Sequence, residues 1–178
     1  MFFELIRNRR SKRKFSDKKI EQEKIDRLIE AALRSPSSRG INPWRFIVVD
    51  QPELLNKLSL AKPHGAGFLK GAPLGIVVCA DASKSDVWVE DCSIASIFIQ
   101  LAVEALNLSS CWIQIRLREH DASSSADAYI KDLLEIPDNI MVESIIAIGY
   151  PEEVKKGHSR ASLQDDKVFY NKFDVKKG

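Results

Sequence analysis

Between Arg7 and Lys19 the sequence sets Arg7, Arg9, Arg10, Lys12, Arg13, Lys14, Lys18 and Lys19 against one acid, Asp17, with Ser11 in the middle. Positive charge at this density suits a nucleic-acid backbone, an anionic membrane or a small phosphorylated ligand, unless it is simply a solvated face. The whole chain carries 27 Lys and Arg against 25 Asp and Glu, so the rest of it has an acidic excess. The positive site is therefore local. Gripping a small phosphate takes guanidinium forks for two oxygens and hydroxyl or backbone N–H donors for the others. Two later segments are rich in polar groups: the loop from Ser35 to Trp44 (Ser-Pro-Ser-Ser-Arg-Gly-Ile-Asn-Pro-Trp), and the run Lys155-Lys156-Gly157-His158-Ser159-Arg160.

Other chemistries find little support. His64, His120 and His158 lack metal-ligand spacing, and the chain has neither a phosphate-cradling Walker loop nor a nucleophile elbow. Glycines recur from Gly65 to Gly71, but the apolar strand that a dinucleotide fingerprint must follow, Leu74 to Ala80, comes after them. Asp86, Glu90 and Asp91 are expected to be a charged face at the start of a helix. No aromatic ladder or recognition helix accompanies the basic stretch, so a nucleic-acid partner is not expected. No catalytic side chain and no metal ligand are assigned; if the protein is an enzyme, a bound cofactor carries the chemistry.

The elements that must position these groups follow from periodicity. At 178 residues, 44% hydrophobic and 29% charged, the chain has the size and composition of one globular domain, 1–178. Cys79, Cys92 and Cys111 are odd in number and widely spaced, which predicts buried thiols and a cytoplasmic setting. The longest uncharged apolar run, Cys92 to Val103, is shorter than the roughly 18 residues of a membrane span. Phe2 to Ile6 predicts a short helix, and Ile25, Leu28, Ile29, Ala32 and Leu33 give one face of a second that stops before Pro36. Phe46 to Val49 predicts a strand. Asp50 and Glu53 form a capping-box pattern for a helix to about Leu60. A long helix is expected from Val87 to Leu106, with Ile94, Ile97, Phe98, Leu101, Ala102 and Ala105 as its wide apolar face and small Ser93, Ala95 and Ser96 on a smooth second side. Strands at Ser110 to Ile115 and Ser144 to Ile148 flank a helix from Ser123 to Leu134, capped near Asp121. The apolar tail from Val168 has no internal partner and suits docking on a second chain.

Four of these parts, in order, resemble the short members of the nitroreductase-like flavoproteins: Arg9-Arg10-Ser11-Lys12-Arg13, the loop from Ser35 to Trp44, the helix and strand from Leu101 to Ile115 with Cys111-Trp112, and Gly149-Tyr150-Pro151 followed by Arg160. The resemblance implies FMN held at a homodimer interface. Arg9, Arg10, Ser11 and Arg13 would hold its phosphate and ribityl chain, joined by Arg160 and His158. Pro36, Ser37 and Ser38, with Gly40 and Asn42, would come from the other subunit, and the backbone of Ile113, Gln114 and Ile115 would lie near the reactive N5. Gly40 stands where many members have Asn, and Asn42 where many have Gln. Asn107 and Ile115 replace common glycines, and their side chains are expected to crowd the ring or the substrate pocket.

The implied activity is ping-pong transfer of hydride from NAD(P)H to a small acceptor such as a nitroaromatic or quinone. The resemblance also admits a reductive dehalogenase, a flavin-fragmenting enzyme or a flavin-binding redox sensor. The first two usually carry lid segments for which this chain has little room. Alternating helices and strands alone predict a parallel α/β sheet. The resemblance implies instead an α+β fold, a mixed, largely antiparallel sheet flanked by helices, completed by a C-terminal strand exchanged in the homodimer, with the tail 165–178 on the partner.

Overall fold

A computed structural model of the protein describes residues 2–175. In order, the elements are α1 (Phe2–Asn8), α2 (Gln22–Leu33), β1 (Trp44–Val49), α3 (Pro52–Leu58), β2 (Leu74–Asp81), α4 (Trp88–Ala105), β3 (Ser109–Gln114), α5 (Ala126–Leu134) and β4 (Ile140–Gly149). The sheet order is β1-β2-β4-β3, and every neighbouring pair is antiparallel. The parallel sheet expected from alternation is therefore overturned. The segments containing α3 and α5 return the chain at the end of the sheet where they left it, so each joins neighbouring antiparallel strands. Only α4 crosses over, joining β2 to β3 with β4 inserted between them. One parallel bridge, Ser11 to Ser110, adds the N-terminal arm to the sheet's edge.

Two apolar layers cover the sheet. On one face α3, α5 and the 3-10 turn Gly67–Gly71 bury Leu55, Leu58, Leu69 and Ile130 against Val77, Ile113, Ile115 and Ile145. On the other, α2 and α4 bury Leu28, Ala32, Cys92, Ala95, Ile99 and Val103 against Ile76, Val78, Ile146 and Ile148. All of β2 is buried, which is why it reads as a continuous apolar run rather than an alternation.

Several local expectations give way. The core side of α4 is its small-residue side: Ala95 and Ser96 are fully buried, whereas Ile94, Ile97 and Phe98 are 36%, 40% and 38% exposed. Small side chains let the helix approach the sheet closely beside the buried Ile99 and Val103, and Ile94, Ile97 and Phe98 are left on the other side. Gln51, not Asp50, is the N-cap of α3 and makes no side-chain cap bond; Pro52 in the first turn starts the helix, which ends at Leu58. Ser125 caps α5 through Ala128 N at 3.1 Å, while Asp121 instead accepts from Ser123 N and Ser124 N at 2.8 and 2.9 Å in the preceding loop. Trp44 belongs to β1 rather than to the loop, and β4 starts four residues before Ser144. In the tail, Asp165–Lys167 form a 3-10 turn and Phe169 meets Phe173 in a ring contact; residues 176–178 lie outside the described part.

Candidate functional site

The basic stretch is an extended arm zipped to the segment that follows β4. Lys12 N bonds Ser110 O at 3.0 Å, Ser16 N bonds Tyr150 O at 2.9 Å, and Glu152 N bonds Lys14 O at 3.1 Å. Glu153 accepts from Arg13 N at 2.5 Å and from Lys14 N at 3.3 Å. Those N–H donors and Lys155 hold the Glu153 carboxyl down at about 2, so it stays ionised in the middle of the basic stretch. Lys155 also reaches Ser11 O, and Arg10 donates to Lys156 O at 2.5 Å. Phe15, 7% exposed, is the apolar peg of the arm.

Two glycines permit this approach. A Cβ at Gly149 would stand 2.7 Å from Pro73 Cδ and 2.9 Å from Phe15 Cβ, and one at Gly157 would overlap the carbonyl of Arg7. The first and last candidate segments therefore meet, although they are nearly 150 positions apart. Arg9, His158 and Arg160 line one cavity of about 580 Å³ together with Arg7, Asn8 and Ser162. Arg160 is also paired with Asp165 at 2.7 Å, both side chains exposed. Arg13 points elsewhere, with its guanidinium 5.6 Å from the centre of the Phe68 ring.

At the end of β3 the side chains of Ile113 and Ile115 are buried in the core, 1% and 0% exposed. Only their backbone and Gln114 can face a ligand. Ile115 therefore crowds no pocket: its side chain packs on the α3–α5 side of the sheet. Asn107 does not crowd that strand end either. It sits in the left-handed region at φ 56°, just past α4, beside Lys12 and Glu104. Gln114 accepts from Trp112 Nε1 at 3.0 Å, and its carbonyl accepts from Lys62 Nζ at 2.9 Å. Lys62 is absent from the sequence-based set because nothing local marks it; a loop far from β3 in sequence brings it there. Burial, with Arg118 nearby, pushes its ammonium pKa down.

The loop before β1 is pinned at the start of α4. Ser38 N donates to Asp91 at 2.8 Å, Ser85 donates to the same carboxyl at 3.3 Å, and Arg39 pairs with Asp86 at 2.7 Å. Asp91 is 1% exposed, so it is a buried anchor and not part of a solvated acidic face. Asn42 N donates to Ser37 Oγ at 2.9 Å, closing the loop on itself. Arg39, Gly40 and Asn42 all have positive φ, between 52° and 66°, which Gly and Asn adopt with least strain. Pro36 is exposed beside the half-buried Ser37 and Ser38.

Within one chain the loop and the arm are not brought together. Ser38 meets Asp91 in the first turn of α4, while Lys12 shares a cavity with Glu104 in its last turn. At 1.5 Å per residue, α4 rises about 20 Å between those two acids.

The comparisons agree with this architecture. The nitroreductase family model matches residues 6–62 and 60–150. A solved FMN-dependent nitroreductase from Clostridium difficile R20291 is 48% identical, with a TM-score of 0.94 over 95% of this chain and 98% of its own. A structure from Parabacteroides distasonis, provisionally described as an NADH dehydrogenase/NAD(P)H nitroreductase, is 34% identical with a TM-score of 0.87, covering 97% of this chain and 98% of its own. An Archaeoglobus fulgidus protein of the same description is 40% identical over 155 residues, 85% of this chain and 86% of its own length. With its motifs in order along one matching fold, the chain belongs to the nitroreductase family.

Proposed function

We propose that this single-domain protein is a homodimeric, FMN-dependent oxidoreductase that passes hydride from NAD(P)H to a small acceptor such as a nitroaromatic or quinone. The meeting of Arg9, His158 and Arg160 around one cavity, with Arg10 and Ser11 on the adjoining arm, carries this reading. Guanidinium forks, a hydroxyl and exposed backbone suit a phosphomonoester, which presents several oxygens to be shared among donors. When bound, FMN supplies the atom that accepts and donates hydride, so the chain needs no acid–base pair of its own.

The protein's part is positioning. The arm and the segment 157–160 would hold the phosphate, Arg13 and the backbone of 113–115 would border the rest of the cofactor, and Gln114 is braced for this by Trp112 and Lys62. The roughly 20 Å between loop and arm supports a site in which Pro36, Ser37, Ser38, Gly40 and Asn42 come from the other subunit. The exposed Ile94, Ile97 and Phe98 on α4 give that subunit an apolar surface, and the tail after Val168 adds a second one. No helix among the described residues is long and apolar enough to cross a membrane.

The test is optical. Purified protein should take up FMN, bleach on anaerobic addition of NADH or NADPH, and recover colour on addition of a nitroaromatic or quinone. A dimer that takes up no FMN sinks the reading; one that binds FMN without bleaching is a binder and not this enzyme.

A further inference from the structure

The pairing of β2 with β4 slips by one residue between Val78 and Cys79: Val78 lies opposite Ser144, Cys79 lies opposite Val142, and Glu143 has no partner. This bulge turns two successive side chains toward α4. Glu143 accepts from Ser93 Oγ at 2.6 Å, and Ser144 Oγ lies 3.3 Å from Ser96 Oγ, one turn further along α4. The main chain of the same residue works on the other side: Glu143 O accepts both Ile115 N at 3.0 Å and Arg116 N at 2.9 Å. The bulge therefore sets where β3 ends, next to Gln114.

Glu143 is 2% exposed, and its Oε2 is buried with no hydrogen-bond partner among the described residues. Arg116, opposite in charge, and Glu90, like in charge, act on it, and Cys92 and the buried Asp91 stand with Glu90 on α4. On the sheet's other face Cys79 of β2 is buried, and Asp127 of α5, ion-paired with Lys131, holds Val142 N at 2.7 Å. Arg116 rests its guanidinium 5.8 Å from the centre of the Trp88 ring. A buried carboxylate with one empty oxygen attracts that guanidinium, whereas a neutral acid leaves it over the ring.

We propose that Glu143 is a positioning residue for the Gln114–Arg116 strand end, its proton deciding whether Arg116 stays over Trp88 or turns inward, and so how that end presents itself to FMN. Burial supports the assignment by pushing the carboxyl up to about 7, into the range where both forms are populated. The proposal rests on the reading of residues 113–115 as the segment facing the cofactor. It concerns geometry at the site and leaves the hydride chemistry to FMN.

The experiment compares wild type with Glu143→Gln, which fixes the neutral form. Tryptophan emission of FMN-free protein is followed from about pH 5.5 to about 8.5, with Trp88→Phe to identify the source, and FMN Kd is measured at both ends of that range. Wild type should titrate near neutrality and change its Kd by at least about threefold relative to Glu143→Gln, which should not titrate there. The phosphate of FMN titrates equally with both proteins, so only the difference counts. Parallel behaviour of the two proteins overturns the proposal, as does an emission change that survives in Trp88→Phe. If Glu143→Gln does not fold, Ser93→Ala decides: losing a donor to the ionised form should raise the midpoint, and an unmoved midpoint refutes the role. Failure of every variant to bind FMN would sink the cofactor reading, while the emission titration would still judge Glu143.

Discussion

Glu143 should make the folded protein lose stability as pH rises from the ordinary carboxyl pKa of 4.5 to about 7, and Glu143→Gln should remove that loss. Burial raises the folded-state pKa of this carboxyl from an ordinary 4.5 to about 7. Below about pH 4.5 the group is protonated in both the folded and the unfolded chain, so it imposes no penalty. Between 4.5 and 7 the unfolded chain releases the proton while the folded one retains it, which favours unfolding. Above about 7 the penalty levels off. At about 1.4 kcal/mol per unit, that interval corresponds to about 3 kcal/mol.

The assay is urea unfolding at fixed protein concentration, because a dimer's stability depends on concentration. Wild type and Glu143→Gln are compared at steps from about pH 4.5 to about 8. Glu21, Asp121 and Glu153, each held down to about 2, act the opposite way, but their contribution is lost only as pH falls below their ordinary values, under this range, and it is common to both proteins. The stability of the variant minus that of wild type should therefore climb by about 3 kcal/mol across the range. A difference that stays flat to within about 1 kcal/mol would show that the carboxyl is not held neutral by its surroundings.

Further outcomes test the site and its assembly. Arg13→Ala should weaken FMN retention by about tenfold to a hundredfold, the cost of one charge-assisted contact. Lys18→Ala, which removes a side chain paired with Glu21 and seated over the Tyr150 ring, should leave FMN Kd within about twofold; equal losses in a calorimetric titration would refute the selective reading of the basic stretch. Gly157→Ala forces a Cβ onto the Arg7 carbonyl and should lift the cavity wall from α1. FMN affinity should fall by at least about tenfold with an unchanged far-UV spectrum, and retained affinity would show that this contact is not needed. Phe98→Glu alters a side chain that is 38% exposed within one chain, so it should spare the core while giving monomers by light scattering and abolishing FMN uptake. A Phe98→Glu dimer with bound FMN would place the interface elsewhere.

Much of this protein is legible locally. Helical periodicity in Ile25, Leu28 and Ala32, the continuous apolar run of β2, and the order of the four motif segments all depend on neighbours in the chain, and they suffice for the element order and the family. The cap of α5 shows the limit of that information. Asp121 and Ser125 both have the chemistry of a cap, and only the loop's path made Ser125 the one that bonds Ala128 N. The α4 faces show it more sharply: residue types mark a wide apolar side with Ile94, Ile97 and Phe98 and a smooth one with Ala95 and Ser96, but which of them meets the sheet is decided by how closely backbones can pack, which favours Ala95 and Ser96.

The sequence by itself determined that the chain carries a concentrated arginine site, polar segments able to complete it, and a set of amphipathic elements. These follow from residue type and short-range period. Tertiary structure alone decided that Arg9 meets His158 and Arg160, that Lys62 braces Gln114, that Asp91 pins the loop at Ser38, and that a bulge leaves Glu143 without a β2 partner and turns it toward Ser93. Each of these joins residues some 50 positions apart or more, or depends on strand register. Distance along the chain says nothing about such contacts, because they exist only once the burial of two apolar layers has fixed how the sheet is ordered and aligned.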